Sequence, residues 1–182
     1  MSRWTDRYPK GDMDWFIGGS GKDSYNLSET VAATDTIMLA TGNSPVNNFD
    51  TVSGFALGKG NNSTVGVDKL DLPNLLIAAN TPASNGIDAG VIHSHKIVNG
   101  IISFDDNDAY SSALTINSTN INNAISYLQN NIIANTTVAF IANGNTFLFQ
   151  DGGINDTLIQ LTAVTASSLS ITGLATASWW IA

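Results

Sequence analysis

The segment from Gly18 to Asn26 reads Gly-Gly-Ser-Gly-Lys-Asp-Ser-Tyr-Asn and fits the nine-residue pattern G-G-x-G-x-D-x-U-x, in which U is apolar, at every specified position. Its glycines allow backbone conformations with φ above zero, which turn carbonyl groups toward an ion. The aspartate that follows offers the hard oxygen ligand that Ca²⁺ prefers. The pattern predicts a calcium-binding turn that leads into a strand. The alternative is a glycine-rich turn before a strand, without a metal.

Half of a second repeat precedes this segment. Asp14-Trp15-Phe16-Ile17 lies in the register of the D-x-U-x half of a preceding repeat, although Pro9, Lys10 and Asp12 occupy positions where its glycines would stand. A full repeat with half of another in phase is a stronger signal than an isolated glycine run. The predicted metal ligands in this region are Asp14 and Asp23, with Gly18, Gly19 and Gly21 supplying backbone carbonyls or the required turn.

Aspartates recur along the first part of the chain, next to alternating apolar residues that are typical of half-buried strands. After two short parallel strands expected at 15–17 and 24–27, these segments are 35–39, 50–55 and 67–73. Asn-, Gly- and Ser-rich insertions at 42–48 and 58–66 predict surface loops between them. Further candidate calcium ligands are therefore Asp35, Asp50, Asp68 and Asp71. The alternative is that these aspartates cap strand ends and turns.

The second part of the chain predicts hairpins around one helix. Asn99-Gly100 and Asn143-Gly144 are dipeptides with a strong bias toward hairpin turns. An apolar stripe with helical spacing predicts a helix near 120–131, with Thr119 or Asn120 as its N-cap. The expected strands are 91–98, 100–104, 137–142, 146–150 and 156–161, followed by a weakly alternating tail from 167 to 182. Residues 1–12 read as irregular.

Composition excludes several classes of function. The formal net charge of −8 argues against a nucleic-acid partner, because phosphate binding requires clustered lysine and arginine. Only 12% of the residues are charged, and Asn, Ser, Thr and Gly take their place. There is no cysteine, so a secreted protein of this composition would use metal ions instead of disulfides. No apolar run approaches the roughly 20 residues that span a bilayer, and the N-terminus lacks the apolar segment of a secretory signal peptide.

No enzyme signature stands out, so a non-catalytic protein is expected. H-E-x-x-H and G-x-S-x-G motifs are absent from the sequence. His93 and His95 lie two residues apart on a predicted strand and could begin a zinc site, but no third ligand stands near them in the sequence. Asp105-Asp106-Asn107-Asp108 is either another hard-cation site or a solvated turn, and the same two alternatives hold for Asp151, Asn155 and Asp156.

In this order, the segments resemble the C-terminal region of RTX (repeats-in-toxin) proteins that type I ABC exporters secrete. Gly18–Leu27 resembles the last repeat, and 50–55 followed by 68–72 resembles the segment that often follows the repeat array. Residues 145–161 are similar to the hairpin that closes the C-terminal domain of serralysin-type proteases and of some S-layer RTX proteins. The charge-free C-terminus, which lacks charged residues after Asp156, resembles the uncleaved export signal of such substrates.

The resemblance implies a mainly β fold: a short parallel β-roll with calcium-binding turns over 1–72, continuing into a β-sandwich-like cap over 73–182 as one folding unit. It implies folding driven by Ca²⁺ outside the cell, a secreted or bacterial cell-surface location, and an exporter that reads the C-terminus. A larger S-layer or adhesin-like parent is expected, with self-association possible. The alternatives are a calcium-dependent glycan- or lipopolysaccharide-binding module that uses aromatics such as Trp4, Trp15 or Tyr110, and the non-catalytic tail of a secreted hydrolase.

Overall fold

The computed structural model describes residues 3–5, 12–58, 65–74, 76–171 and 179–182. Within these ranges the chain is mainly β, as predicted, with fifteen strands and one helix. In chain order the elements are β1 (Arg3–Thr5), β2 (Trp15–Phe16), β3 (Ser24–Asn26), β4 (Thr36–Met38), β5 (Asp50–Ser53), β6 (Lys69–Asp71), β7 (Leu76–Ile77), β8 (Thr81–Ala89), β9 (Ile92–Val98), β10 (Ile101–Asp105), α1 (Ile121–Asn131), β11 (Thr136–Ala142), β12 (Asn145–Gln150), β13 (Thr157–Leu161), β14 (Leu169–Ile171) and β15 (Trp179–Ile181).

From β1 to β6 the chain alternates between two sheets. Strands β1, β3 and β5 pair in parallel in the first sheet, and strands β2, β4 and β6 pair in parallel in the second. Successive strands therefore belong to different sheets, and β2 to β6 contribute alternate side chains to the space between the sheets. Tyr25, Ile37, Val52 and Leu70 are buried in this way.

Both sheets continue into strands from the second part of the chain. The first sheet has the order β1-β3-β5-β13-β12-β11-β10-β9-β8, with β7 also paired to β11, and the second has the order β14-β15-β6-β4-β2. The pairings β5–β13 and β6–β15 join the segment before residue 73 to the segment after it. The boundary expected at 72/73 therefore falls between segments that share both sheets.

Strands β11, β12 and β13 bury side chains on both faces. Ala139, Leu148 and Ile159 pack in one apolar cluster with Trp179 and Ile181 of the second sheet. Their sequence neighbours face the opposite way and pack in a second cluster with the helix, which contains Val138, Phe140, Phe147, Phe149, Leu158, Ala124, Tyr127 and Leu128. The expected β-sandwich-like region over 73–182 thus belongs to three layers, with the helix on one face of the first sheet and the second sheet on the other. A sandwich of two sheets alone does not describe it.

Local sequence signals explain the hairpins and the helix. Asn99-Gly100 and Asn143-Gly144 all have positive φ and close the β9–β10 and β11–β12 hairpins, which confirms both predicted turns. The helix near 120–131 is also confirmed, with Asn120 at the N-cap position. The expected capping contact is not made, because the Asn120 side-chain oxygen accepts from the N–H of Asn117 and so organises the preceding turn.

Three strands were not expected from the sequence. Strand β1 lies in a region that read as irregular, and it pairs with β3. The other two are β7 and the nine-residue edge strand β8, which contains Pro82 and Asn85-Gly86 and has irregular register on both sides of Ser84 and Asn85. Proline and bulges are tolerated at a sheet edge, where they also hinder pairing with other molecules.

The burial of strand β15 predicts a large cost for truncating Trp179. Its side chain is 0% exposed, whereas Trp15 is 62% exposed. We expect Trp179→Ala to lower the free energy of unfolding by about 3–5 kcal/mol, because it removes a buried indole from the apolar cluster between the two sheets. Trp15→Ala is the matched control and should change it by less than about 0.5 kcal/mol. Urea denaturation measures both, and equal effects of the two changes would contradict the assigned core.

Candidate functional site

Aspartates stand at the start of five successive strands, β2 to β6. The parallel register aligns Trp15 with Thr36 and Thr36 with Lys69, so the residues before them form one column at the second sheet. The register also aligns Ser24 with Thr51, which forms a second column at the first sheet. The columns are Asp14–Asp35–Asp68 and Asp23–Asp50.

Each column is held together by carboxylates that accept backbone N–H groups at the start of the neighbouring strand in the same sheet. Asp50 Oδ1 accepts from the N–H of Asp23 at 2.7 Å, and Asp35 Oδ1 accepts from the N–H of Asp14 at 3.1 Å. Asp68 accepts twice, from the N–H of Asp35 at 3.0 Å and from that of Ala56 at 2.8 Å. These side chains therefore hold together the starts of neighbouring strands in each sheet. The same arrangement places carboxylates close to one another in columns.

Four of these aspartates are shielded from water, with Asp35 and Asp50 at 0% exposure and Asp23 and Asp68 at 2%. Burial is the largest cause that raises the pKa of Asp35 to about 7; the charges of Asp68, Glu29 and Asp14 add to it, and the Asp14 N–H opposes it. Burial likewise raises the pKa of Asp50 and of Asp68 to about 6. Ionising them all near neutral pH is unfavourable unless a cation approaches.

Glu29 joins the longer column, and sequence reasoning missed it. Its Oε2 accepts the N–H of Ala33 at 2.7 Å, and its charge raises the pKa of both Asp35 and Asp68. Glu29 and Asp68 line a cavity of about 340 Å³. Among the described residues, Glu29 Oε1 and Asp35 Oδ2 are buried oxygens without a hydrogen-bond partner. One feature of the sequence could have drawn attention to this residue: Glu29 is the single glutamate of the chain.

The glycine segment lies beside the shorter column. Gly18 must lack a side chain, because a Cβ there would collide with the Asp23 carboxylate and the Tyr25 hydroxyl. Gly19 and Gly21 have φ of +89° and +103°, which L side chains rarely adopt. The Tyr25 hydroxyl donates to Asp50 Oδ2 at 3.4 Å, and burial together with the charges of Asp50 and Asp23 raises the pKa of Tyr25. Gly18, Asp23, Tyr25 and Asp50 are thus brought together.

The other sequence candidates lie apart from the columns. Asp71 stands at the far end of β6 from Asp68 and borders a different cavity, of about 490 Å³. The Asp151-Gly152-Gly153 turn is closed by its own acids: Asp151 accepts from the N–H of Gly153, and Asp156 accepts from that of Gly152. Of the aromatics, Trp15 is exposed and the Tyr110 hydroxyl hydrogen-bonds that of Ser103. The side chain of Trp4 lies outside what the structure describes.

Asp105 organises a loop with its carboxylate. It accepts from the N–H groups of Asn107, Ser111 and Ser112 and from the Asn107 and Ser111 side chains. The backbone N–H groups of Ser111 and Ser112 are the main cause that lowers the pKa of Asp105. These hydrogen bonds satisfy the Asp105 carboxylate within the turn. They favour a structural role for Asp105, as part of a turn, over a role as a calcium ligand.

No protein-family model, curated protein or solved structure matches the chain. Within the described residues, no helix is both long and apolar enough to cross a bilayer.

The raised pKa of Asp35 sets the sign of a pH effect on the metal-free protein. A carboxyl whose folded pKa of about 7 exceeds its ordinary value of 3.8 binds more protons when folded between these values. The Asp35 carboxyl therefore lowers the free energy of unfolding increasingly as pH rises from about 4 to about 7. Below about pH 4 it has no such effect. Across this interval we expect the free energy of unfolding of Asp35→Asn to rise relative to that of the wild type, by up to about 4 kcal/mol.

Urea denaturation of both proteins at several pH values, without metal, measures this difference. Comparison with the variant removes contributions of opposite sign from other groups, such as Asp105. A difference that stays constant from pH 4 to pH 7, or that moves in favour of the wild type, would contradict the assigned burial of Asp35.

Proposed function

We propose that this chain is a non-catalytic, calcium-binding C-terminal domain of a larger exported bacterial protein, S-layer or adhesin-like. In this proposal, strands β1 to β6 are the end of a parallel β-roll, and the later strands and the helix cap it. The observation that carries the proposal is the longer aspartate column, Asp14–Asp35–Asp68. Its buried carboxylates have raised pKa values, and Glu29 adds another charge to them.

The donor types of the longer column suit a hard cation, and side-chain movement would bring them onto one ion, since within the described residues no three ligand oxygens of these acids lie within 4.8 Å of one another. Calcium takes six to eight oxygen ligands and accepts irregular geometry, so carboxylates and backbone carbonyls of turns are suitable partners. Asp35 Oδ2 and Glu29 Oε1, both buried and without hydrogen bonds in the described structure, are oxygens that such an ion would satisfy. Asp68 would complete this set. At the shorter column, Asp23, Asp50 and the carbonyls of the Gly18–Gly21 turn would hold an ion in the same way.

Binding of calcium would supply positive charge beside the carboxylates of the columns. With an ion present, Asp35, Asp50 and Asp68 can ionise without mutual repulsion, and the folded state gains the free energy of binding. The metal-free chain keeps the same hydrogen bonds between strand starts but has to leave protons on these acids or bear their repulsion. Calcium would therefore act on stability, which suits a chain that folds where calcium is abundant.

Calcium titration tests the proposal directly. We expect millimolar calcium to raise the melting temperature of the wild type above its value in chelator, since an ion at a hundredfold excess over Kd adds about 2.7 kcal/mol. For a chain of this length that corresponds to a shift of roughly 5–11 °C. Asp35→Asn should reduce this increment at pH 7.5 while raising the melting temperature in chelator, because the amide keeps an acceptor but removes a buried charge.

Asp71→Asn is the matched control, since Asp71 lies outside the columns, and its calcium increment should equal that of the wild type. The opposite signs expected for Asp35→Asn in chelator and in calcium separate loss of a ligand from general destabilisation. The proposal would be overturned if the melting temperature of the wild type were the same in calcium and in chelator. It would also be overturned if calcium raised the melting temperature of Asp35→Asn as much as that of the wild type.

The exported location rests on the resemblance of the charge-free tail to a type I export signal. Strand β15 is buried in the second sheet, so an exporter would read this segment in the unfolded chain. With a type I exporter co-expressed, deletion of residues 168–182 should abolish appearance of the chain in the medium. Asp35→Asn, which alters the calcium column and leaves the tail intact, should be exported as the wild type is. Equal export of the truncated chain would remove the signal from the proposal.

A further inference from the structure

Three side chains that are able to bind a metal ion converge near strands β8 and β9, which lie at the other end of the first sheet from β3 and β5. Asp88 lies next to the last residue of strand β8, His93 lies near the start of β9, and Asp108 lies in the loop after β10. The antiparallel pair Ala89–Ile92 places Asp88 and His93 beside each other on adjacent strands. None of these residues belongs to the aspartate columns.

The distances suit a small divalent ion. His93 Nδ1 lies 3.2 Å from Asp108 Oδ1 and 3.6 Å from Asp88 Oδ2. All three ligand atoms lie within 4.8 Å of one another. Metal–ligand bonds of about 2.0–2.1 Å in a tetrahedral site place neighbouring ligand atoms roughly 3.3–3.4 Å apart. The two contacts of the imidazole nitrogen bracket that separation, so small side-chain movements would suffice to admit an ion.

Hydrogen bonding alone does not satisfy this cluster. One imidazole nitrogen carries at most one proton, so His93 Nδ1 can donate to only one of the two carboxylates at a time. Within the described part of the chain, neither Asp88 nor Asp108 has a lysine or arginine partner. A divalent cation would interact with all three groups at once, whereas a surface ion pair contributes little.

The surrounding structure fixes the backbone that carries these groups. The Tyr127 hydroxyl donates to the carbonyl of His93 at 3.2 Å, and Ser94 Oγ donates to the carbonyl of Asn107 at 2.6 Å. The Asp105 carboxylate accepts hydrogen bonds from Asn107 and Ser111, which lie on either side of Asp108 in the same loop. The ligands therefore lie on a hairpin and a loop that are already ordered, which lowers the cost of binding an ion.

We propose that Asp88, His93 and Asp108 bind a divalent first-row transition-metal ion, with zinc as the representative ion. One imidazole nitrogen with two carboxylate oxygens is a donor set for such ions, whereas calcium prefers oxygens alone. The half-exposed ring of His93 and the exposed carboxylates leave the remaining coordination positions to water. His95, which the sequence groups with His93, is not a ligand: it is buried and hydrogen-bonds the Tyr127 hydroxyl at 3.0 Å.

Calorimetric titration with Zn²⁺ in the presence of saturating Ca²⁺ tests the site separately from the calcium columns. We expect one equivalent of zinc to bind the full chain, and His93→Asn to weaken the affinity at least tenfold. Asp88→Asn and Asp108→Asn should each weaken it severalfold. Asp106→Asn is the matched control, because Asp106 is an exposed acid of the same loop outside the cluster, and its affinity should equal that of the wild type.

Paramagnetic Co²⁺ identifies the ligand without a mutation. The chain has two histidines, so NMR should show a large shift or broadening of the His93 imidazole signals and a much smaller effect on those of His95. Three results would overturn the proposal: no zinc binding by the wild type, equal zinc affinity in His93→Asn and the wild type, or equal weakening in Asp106→Asn and Asp108→Asn. Unchanged melting temperatures in metal-free buffer show that the exposed-site variants remain folded.

Discussion

The structure depends on a hydrogen bond between the carboxylate at the start of one strand and the backbone N–H at the start of the neighbouring parallel strand in the same sheet. This contact joins Asp50 to Asp23, Asp35 to Asp14 and Asp68 to Asp35. It satisfies buried N–H groups where the chain enters each strand, a requirement that every buried backbone donor has to meet. It also fixes the register, since a slip of one residue would separate acceptor from donor and turn the apolar side chains outward.

The same contact creates the electrostatic problem that calcium is proposed to solve. Aligning strand starts aligns their carboxylates, and burial then raises the pKa of Asp35, Asp50 and Asp68. Asparagine could accept the same N–H groups without charge, and the chain is otherwise rich in asparagine. The use of aspartate at these positions, with Glu29 added to the longer column, is thus difficult to explain by hydrogen bonding alone and favours a role for the charge.

The sequence predicted what depends on local pattern. Strand starts follow the aspartates, the helix follows its 3.6-residue apolar period, and two hairpins follow Asn-Gly dipeptides. Strand β8 was missed because Pro82 and Asn85-Gly86 are turn residues that only an edge strand tolerates. Glu29 and the neighbours of His93 were missed for another reason. Their partners are brought close by sheet pairing and loop packing, and no spacing along the chain encodes that proximity.

Strand β6 links the longer aspartate column to the last strand, β15. Asp68 precedes this strand, and Leu70 within it pairs with Trp179 of β15. The N–H of Gly58 also donates to the carbonyl of Ile181 at 2.8 Å. Strand β15 is therefore held both by β6 and by the chain at Gly58. An ion that orders the start of β6 would therefore stabilise the surface on which β15 pairs. If the tail is read by an exporter while unfolded, as proposed, calcium outside the cell would favour the state in which that tail is buried, and the same sheet would couple ion binding to withdrawal of the signal.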